Sequence, residues 1–191
     1  PQILKKSGVN YFLTQKLSWS QFNEFPHHTF NWRGIDGTEI LTHFPPENTY
    51  NSELDTQFLV PAQDHFKEKA YLDEFISLFG VGDGGGGPKP ENIELGRRMA
   101  SLESSPKVSF DTAKNFFDRL NNHKDKVDTW VGELYLELHR GTLTTHGLVK
   151  KQNRKLENKL RNVEILWSCL SMQDYPCLLY TSDAADEEDS V

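Results

Sequence analysis

The chain has 191 residues, of which 36% are hydrophobic and 12% aromatic, and its formal net charge at pH 7 is −7. An acidic chain whose Lys and Arg residues are spread along its length lacks the basic surface of a nucleic-acid-binding protein. No apolar run approaches the roughly 18–20 residues that span a bilayer, so no membrane helix is predicted. Because the composition is polar for a self-contained domain, the chain is expected to be an internal fragment of a larger protein.

The first 125 residues carry the alternation of an α/β fold. A helix is predicted to end at Lys6, before Ser7-Gly8, and a strand to cover Val9–Thr14. Asp36-Gly37 between two apolar runs predicts a β-hairpin. The elements predicted after it are a helix over Asp55–Tyr71, a strand over Phe75–Phe79, a helix over Glu91–Ser101, a strand over Lys107–Phe110, and a helix from the N-cap Asp111 to Leu120.

The pattern becomes helical after about residue 126. Val131, Leu134 and Leu138 share one face of a predicted helix, although an alternation of apolar residues over 134–138 favours a strand as the alternative. Apolar residues from Leu156 to Leu170 then recur at steps of three and four, which predicts a long amphipathic helix.

The final segment, Cys177–Val191, shifts to small and acidic residues with no apolar period. It resembles the translation of sequencing-adapter read-through, and we expect it to be foreign to the protein. An ordinary acidic disordered tail is the alternative. Cys169 and Cys177 form no CxxC pair, which is typical of reduced thiols in a cytoplasmic protein.

A run of glycines surrounds one acidic residue, Asp83. It follows the predicted strand Phe75–Phe79, at the end of a strand where α/β folds keep their sites, and consecutive glycines let a backbone approach a ligand closely. A phosphate-binding loop is excluded because no Gly-Lys-Ser/Thr follows. Asp83 is therefore a candidate general acid, and a flexible linker with an incidental Asp is the alternative.

Two further segments carry candidate binding residues. His139 stands alone beside a glycine turn, and since metal sites need three or four ligands, a lone His is more often structural. Residues 25–37 are dense in aromatics, with Trp19 upstream and Tyr50 downstream, and aromatic rings beside carboxylates such as Asp36 suit sugar rings. A core aromatic cluster is the alternative of equal weight.

Four long strings together resemble glycoside hydrolase family 38, the retaining α-mannosidases, and especially its cytosolic and bacterial branch. In the family's order they are PQILKKSGVNYFLTQKLSW, FPHHTFNWRGIDGTEILTHFPPENTYN, GVGDGGGGP and VGELYLELHRGTLTT. The resemblance implies an α/β fold followed by an all-α one. Residues 1–125 are then the second half of a catalytic β/α barrel, 126–176 the start of a three-helix bundle, and 177–191 the foreign tail.

The resemblance also implies a chemistry, the retaining hydrolysis of terminal α-mannosides by two carboxylates and a zinc ion. It implies that Asp83 is the acid/base, that His139 is a zinc ligand, and that Trp19, Asp36 and Tyr50 line the sugar site. The family's nucleophile and its other zinc ligands precede the PQILK string. They are therefore expected outside this chain, which is expected to be inactive by itself.

The sequence departs from the family at two positions. Gly84 stands where other branches carry a second acid, and Arg140 stands where they carry an Asp. The predicted function is that of an α-mannosidase acting on mannose-containing oligosaccharides in the cytoplasm, with no nucleic-acid or membrane partner and with homo-oligomerisation left open. A non-catalytic carbohydrate-binding relative is the alternative.

Overall fold

The structure is a computed structural model that describes residues 1–83, 85–142 and 144–172. Gly84, Cys177 and the predicted foreign tail lie outside the described residues. The chain divides into two compact units, residues 1–139 and 140–191, and each is described by itself. No helix in the described ranges combines the length and the apolar character needed to cross a membrane.

The helices and strands of the first unit are short. In chain order they are α1 (Gln2–Lys6), β1 (Tyr11–Leu13), a 3₁₀ turn (Lys16–Trp19), β2 (Thr29–Arg33), β3 (Glu39–His43), α2 (Thr56–His65), α3 (Pro90–Met99), α4 (Ala113–Leu120), a second 3₁₀ turn (Asn121–Lys126) and β4 (Thr129–Val131). In the second unit, α5 covers Gly147–Ser171.

The four strands form one mixed sheet in the order β1-β3-β2-β4. β1 runs parallel to β3, and β2 is antiparallel to β3 with Thr29 opposite His43. β4 runs parallel to β2. The predicted hairpin is confirmed: Gly37 has a φ of 82°, and the Asp36 carboxylate accepts from the backbone N–H and the hydroxyl of Thr38.

A hydrophobic cluster covers each face of the sheet, because alternate residues of a strand point to opposite faces. The first cluster packs Leu41 against α4 and the residues around it: Phe66, Leu72, Phe116, Phe117, Leu120 and Val127. The second is centred on Leu17, Phe30 and Phe44, and Phe12, Phe25, Trp32, Trp130 and Leu134 pack against it.

Several predicted elements differ from the observed ones. Phe75–Phe79 and Lys107–Phe110 have no regular secondary structure and form no strand of the sheet, so both strand predictions are wrong. α2 ends at His65 rather than at Tyr71, and the N-cap of α4 is Thr112, whose hydroxyl accepts from the N–H of Asn115, rather than Asp111.

The first compact unit extends to His139, beyond the change of sequence pattern near residue 126. The physical reason is that Thr129–Val131 pair with β2, which joins them to the sheet. Residues 132–139 then continue as irregular chain, so the helix predicted over Val131–Leu138 is wrong. The mixed α/β character of the first unit agrees with the predicted fold class, while the half barrel and the three-helix bundle stay predictions.

The long amphipathic helix predicted from the apolar residues Leu156 to Leu170 is confirmed as α5. It begins at Gly147, after a turn in which the N–H groups of Thr144 and Thr145 both donate to the carbonyl of Gly141. Leu156, Leu160 and other apolar residues along α5 are exposed.

Candidate functional site

Two of the predicted sugar-binding residues follow the carboxyl ends of parallel strands. β1 and β3 end at the same edge of the sheet, where the N–H of Thr14 donates to the carbonyl of His43 at 3.4 Å. Trp19 lies on the 3₁₀ turn that follows β1, and Tyr50 lies on the irregular segment that follows β3. This edge is the one at which parallel α/β sheets usually hold their ligands.

Contacts near the ends of β1 and β3 bring Trp19 and Tyr50 together. The Tyr50 hydroxyl accepts from the backbone N–H of Gln15 at 3.1 Å and lies 3.1 Å from the hydroxyl of Thr14. The Lys16 ammonium stands 3.6 Å from the centre of the Trp19 ring and 5.6 Å from that of Tyr50. A cation therefore lies beside both aromatic faces, in range of cation–π attraction.

The glycine loop that carries Asp83 contacts the segment of Tyr50. A Cβ on Gly82 would stand 2.8 Å from Oδ1 of Asn51, so the loop backbone packs directly against that side chain. Val81 pairs with Gly86 across the turn, and Gly85 has a φ of 65°, which favours glycine. Asp83 is exposed, and the described residues on either side of it form a short hairpin through this bridge.

The largely buried carboxyl group of Glu47 links the segment of Tyr50 to the chain that leads into the glycine loop. It accepts from the hydroxyl of Ser52 at 2.7 Å and from that of Ser77 at 2.6 Å. Burial raises the pKa of this carboxyl above its usual range, and the two serine hydroxyls oppose the shift. Glu47 thereby ties the Tyr50 segment to the chain that leads into the glycine loop.

His139 reaches the same region along an irregular path. The chain turns at Gly132, which has a φ of 114°, and Leu134 then packs on the second cluster. The His139 ring ends 6.3 Å from the Trp19 ring, nearly perpendicular to it. His139 itself has a left-handed φ of 57°, which is uncommon for a residue other than glycine.

Asp36 lies at the other end of the sheet. It occupies the turn between β2 and β3, whereas Trp19 and Tyr50 follow the opposite end of β3. Its hydrogen bonds with Thr38 hold the pKa of its carboxyl below the usual range. The structure therefore does not bring Asp36 to the other predicted site residues, and its contacts serve the hairpin turn.

Most of the aromatic segment is core. Phe30 is fully buried, and Phe25 and Trp32 pack on the cluster that it forms with Leu17 and Phe44. The core alternative therefore applies to these rings, whereas Trp19 keeps 38% of its surface exposed.

A buried polar network lies under the start of β2. Glu68 accepts from the backbone N–H groups of His28 and Thr29, and burial raises the pKa of its carboxyl to about 7. Burial lowers the pKa of His43 to about 3, and that of His28 to about 4. Since the N–H of Ile76 donates to Nε2 of His43, the proton of this neutral ring lies on Nδ1, toward Thr29.

His139 fits a zinc ion as a single ligand, because its imidazole is a usual zinc donor and its residue is exposed. Within residues 1–83, 85–142 and 144–172, no group of three or more His, Cys, Asp or Glu side chains could hold a metal ion. His139 is therefore a candidate for one of the three or four ligands that a zinc site needs.

Three residues at or beside this edge are not among the residues predicted from the sequence: Lys16, Glu47 and Glu137. Lys16 lies one short turn before Trp19, a spacing that could have indicated a contact between the two side chains. Glu47 and Glu137 bind partners that the sequence does not pair with them, so only the fold shows their roles.

The chain is similar to a protein-family model and to several known proteins. Residues 1–133 match the model of the glycosyl hydrolases family 38 N-terminal domain. Alpha-mannosidase G of Dictyostelium discoideum is 45% identical over 168 residues, and alpha-mannosidase 2C1 of Homo sapiens is 42% identical over the same length. An alpha-mannosidase of Saccharomyces cerevisiae is 42% identical over 173 residues.

The matches to the Dictyostelium and human proteins cover 88% of this chain but 16% of each relative. The match to the yeast protein covers 86% of the chain and 16% of that relative. The chain therefore spans about one sixth of the length of these relatives. Since the family model covers well over half of its residues, the chain belongs to glycosyl hydrolase family 38.

Proposed function

We propose that the whole protein hydrolyses terminal α-mannosides of mannose-containing oligosaccharides, and that the edge of the sheet described above forms part of its active site. The observation that carries the proposal is the grouping of Trp19, Tyr50, the Asp83 loop and His139 at one edge, in a chain whose relatives are named alpha-mannosidases.

Each residue has a role that its position supports. Asp83, exposed on a hairpin held by close glycine packing, donates a proton to the leaving oxygen and later takes one from water. Trp19 and Tyr50 present aromatic faces to the sugar, and Lys16 lies beside them. A second carboxylate, the nucleophile, is supplied by another part of the protein.

His139 is proposed as one ligand of a zinc ion whose other ligands lie elsewhere in the protein. Zinc at such a site would hold sugar hydroxyls and help to orient the ring. With one ligand and one of the two carboxylates, the 191-residue chain is proposed to hydrolyse no nitrophenyl α-mannoside, even with zinc added. The cytoplasmic location stays a prediction.

The kinetics of Asp83→Asn in the whole protein test the acid/base role. The variant should lose about 10²–10⁴-fold in kcat/KM on a substrate with a poor leaving group, because protonation assists departure of that group. It should lose much less on a dinitrophenyl mannoside, which departs without a proton.

Asp73→Asn is the control, since it removes an exposed carboxylate outside the site, and it should behave as wild type on both substrates. Asp36→Asn should do the same if Asp36 serves only the hairpin. Equal losses of Asp83→Asn on the two substrates would contradict the acid/base role. Mannoside binding without turnover in the unaltered protein would favour the non-catalytic alternative.

A further inference from the structure

The segment that carries His139 has no helix or strand of its own. Its first residues are tied down by two indole groups. Nε1 of Trp32 donates to the carbonyl of Gly132 at 2.7 Å, and Nε1 of Trp130 donates to that of Glu133 at 3.0 Å. Both bonds lie near the start of the segment, so they leave the position of His139 to other contacts.

Glu137 makes such a contact from a buried position. One carboxylate oxygen accepts from the backbone N–H of Phe22 at 2.6 Å and from that of Asn23 at 2.9 Å. The other oxygen accepts from Nδ2 of Asn23. The backbone N–H of Glu137 also donates to the hydroxyl of Ser20 at 3.4 Å. Charge-assisted bonds of this kind are stronger and more specific in geometry than neutral ones.

These bonds join the two pieces of chain that meet at the candidate site. Residues 20–23 follow Trp19 directly, and His139 lies two positions after Glu137 in the sequence. The left-handed backbone of His139 is a conformation that the surrounding structure has to hold. Glu137 therefore belongs to the chain segment that carries His139, and its carboxylate is hydrogen-bonded to the loop that follows Trp19.

We propose that Glu137 is a positioning residue of the candidate site, whose carboxylate ties the His139 segment to the loop after Trp19 and so holds the imidazole beside the indole. The inference rests on the proposed role of His139. Residues that orient a metal-binding His from behind alter metal affinity or activity about 10–100-fold. Gln cannot replace Glu137 fully, because its amide N–H₂ would face backbone and side-chain donors.

The test measures zinc affinity of the whole protein by competition with a chelator, together with kcat and KM for a nitrophenyl α-mannoside. Glu137→Gln should weaken zinc binding and lower kcat/KM by about 10–100-fold. Glu133→Gln is the matched control, because it makes the same charge change at an exposed position of the same segment. It should stay within about twofold of wild type.

A double-mutant cycle separates positioning from a general effect on the fold. In the His139→Ala background, Glu137→Gln should change zinc affinity by less than about twofold, since the residue through which it acts is gone. An undiminished loss in that background would overturn the positioning role. Unchanged zinc affinity in Glu137→Gln alone would overturn it equally.

Two further variants test the role of His139 separately and replace Glu137→Gln if that variant does not fold. If His139→Ala leaves zinc affinity and kcat/KM unchanged, the proposed role of His139 fails first, and the role of Glu137 fails with it. If Glu137→Gln does not fold, Asn23→Ala takes its place, because it removes one donor to the same carboxylate. A smaller loss in the same direction supports the proposal, and no loss in this variant overturns it.

Discussion

The carboxylates of Glu68 and Glu137 are buried and that of Glu47 is partly buried, and each joins segments that are distant in the sequence. Glu47 accepts from Ser52 and Ser77. Glu68 accepts from the backbone at the start of β2, and Glu137 accepts from the loop after Trp19. Because buried carboxylates are costly unless they are hydrogen-bonded, their partners are expected to be strict requirements of the fold.

Glu68 gives a prediction about the pH dependence of stability. Its pKa is raised from an ordinary value of 4.5 to about 7 in the folded chain. Its contribution to stability is therefore fully present below pH 4.5 and is lost as the pH rises through 7. His28 and His43 have lowered pKa values in the folded chain. Their contribution to stability is therefore present above their ordinary pKa of 6.5 and is lost as the pH falls below it.

The variant Glu68→Gln isolates the carboxyl from these histidines, which both proteins share. The Tm of the variant minus that of wild type should increase between pH 5 and pH 8, since only wild type has to ionise a buried group over this interval. Thermal unfolding followed by circular dichroism measures the difference. Glu103→Gln, at an exposed position, should show a constant difference, and a constant difference for Glu68→Gln would contradict the prediction.

At the scale of elements, turn chemistry was predictable and strand pairing was not. Asp36-Gly37 and Asp55 carry local signals, and the hairpin and the start of α2 follow them, with the Asp55 carboxylate accepting from the N–H groups of Gln57 and Phe58. Phe75 and Ile76 pack on the first cluster, so their apolar character indicates that they are buried, but not that they form a strand. A short apolar run does not say whether a neighbouring strand is there to pair with it.

The segment after β4 has apolar residues at helical spacing but forms no helix, for a related reason. Leu134 sits at helical spacing from Val131, but its contact is with the aromatic cluster on one face of the sheet. The turn at Gly132 and the bonds from Trp32 and Trp130 hold the backbone in an irregular path. Trp32 is 100 residues away from Gly132 in the sequence, and the bond from Trp130 to Glu133 is a local one outside any helix, so a periodicity argument finds neither.

The hairpin of the glycine loop predicts different costs for two neighbouring glycines. A Cβ on Gly86 would stand 2.9 Å from the Cβ of Val81, which cannot swing aside as the end of a flexible side chain could. A Cβ on Gly87 would meet no atom within 4 Å. Gly86→Ala in the whole protein should lower kcat/KM by about 10–100-fold through displacement of Asp83.

Gly87→Ala is the matched control and should stay within about twofold of wild type. Steady-state kinetics with a nitrophenyl α-mannoside measure both variants. Equal kcat/KM values for the two variants would contradict the prediction, because they would mean that a Cβ on Gly86 does not displace Asp83.

At the scale of the whole molecule, the candidate site is built by convergence at one edge of a small sheet. Trp19 follows β1, Tyr50 follows β3, and the Asp83 loop packs against the segment of Tyr50. His139 returns to that edge only after Leu134 has packed on the second cluster. The residue types were predictable from the family resemblance, and the contact of His139 with Trp19 was not, because no sequence periodicity links them.

In the proposed function, other parts of the whole protein complete this edge of the sheet. The chain covers 16% of its relatives' length, and its described residues present one candidate zinc ligand and one candidate acid/base. The predicted barrel would supply the nucleophile and the remaining zinc ligands beside Asp83 and His139. In this proposal the sheet edge is one wall of a sugar pocket.

A crystal structure of the whole protein with a bound mannose-derived inhibitor tests the central claim most directly. We expect the Asp83 carboxylate to lie within hydrogen-bond distance of the atom that mimics the glycosidic oxygen. We expect His139 and the Trp19 ring to border the same sugar. A bound sugar that contacts neither Asp83 nor His139, with those side chains on opposite sides of the molecule, would contradict the proposed site.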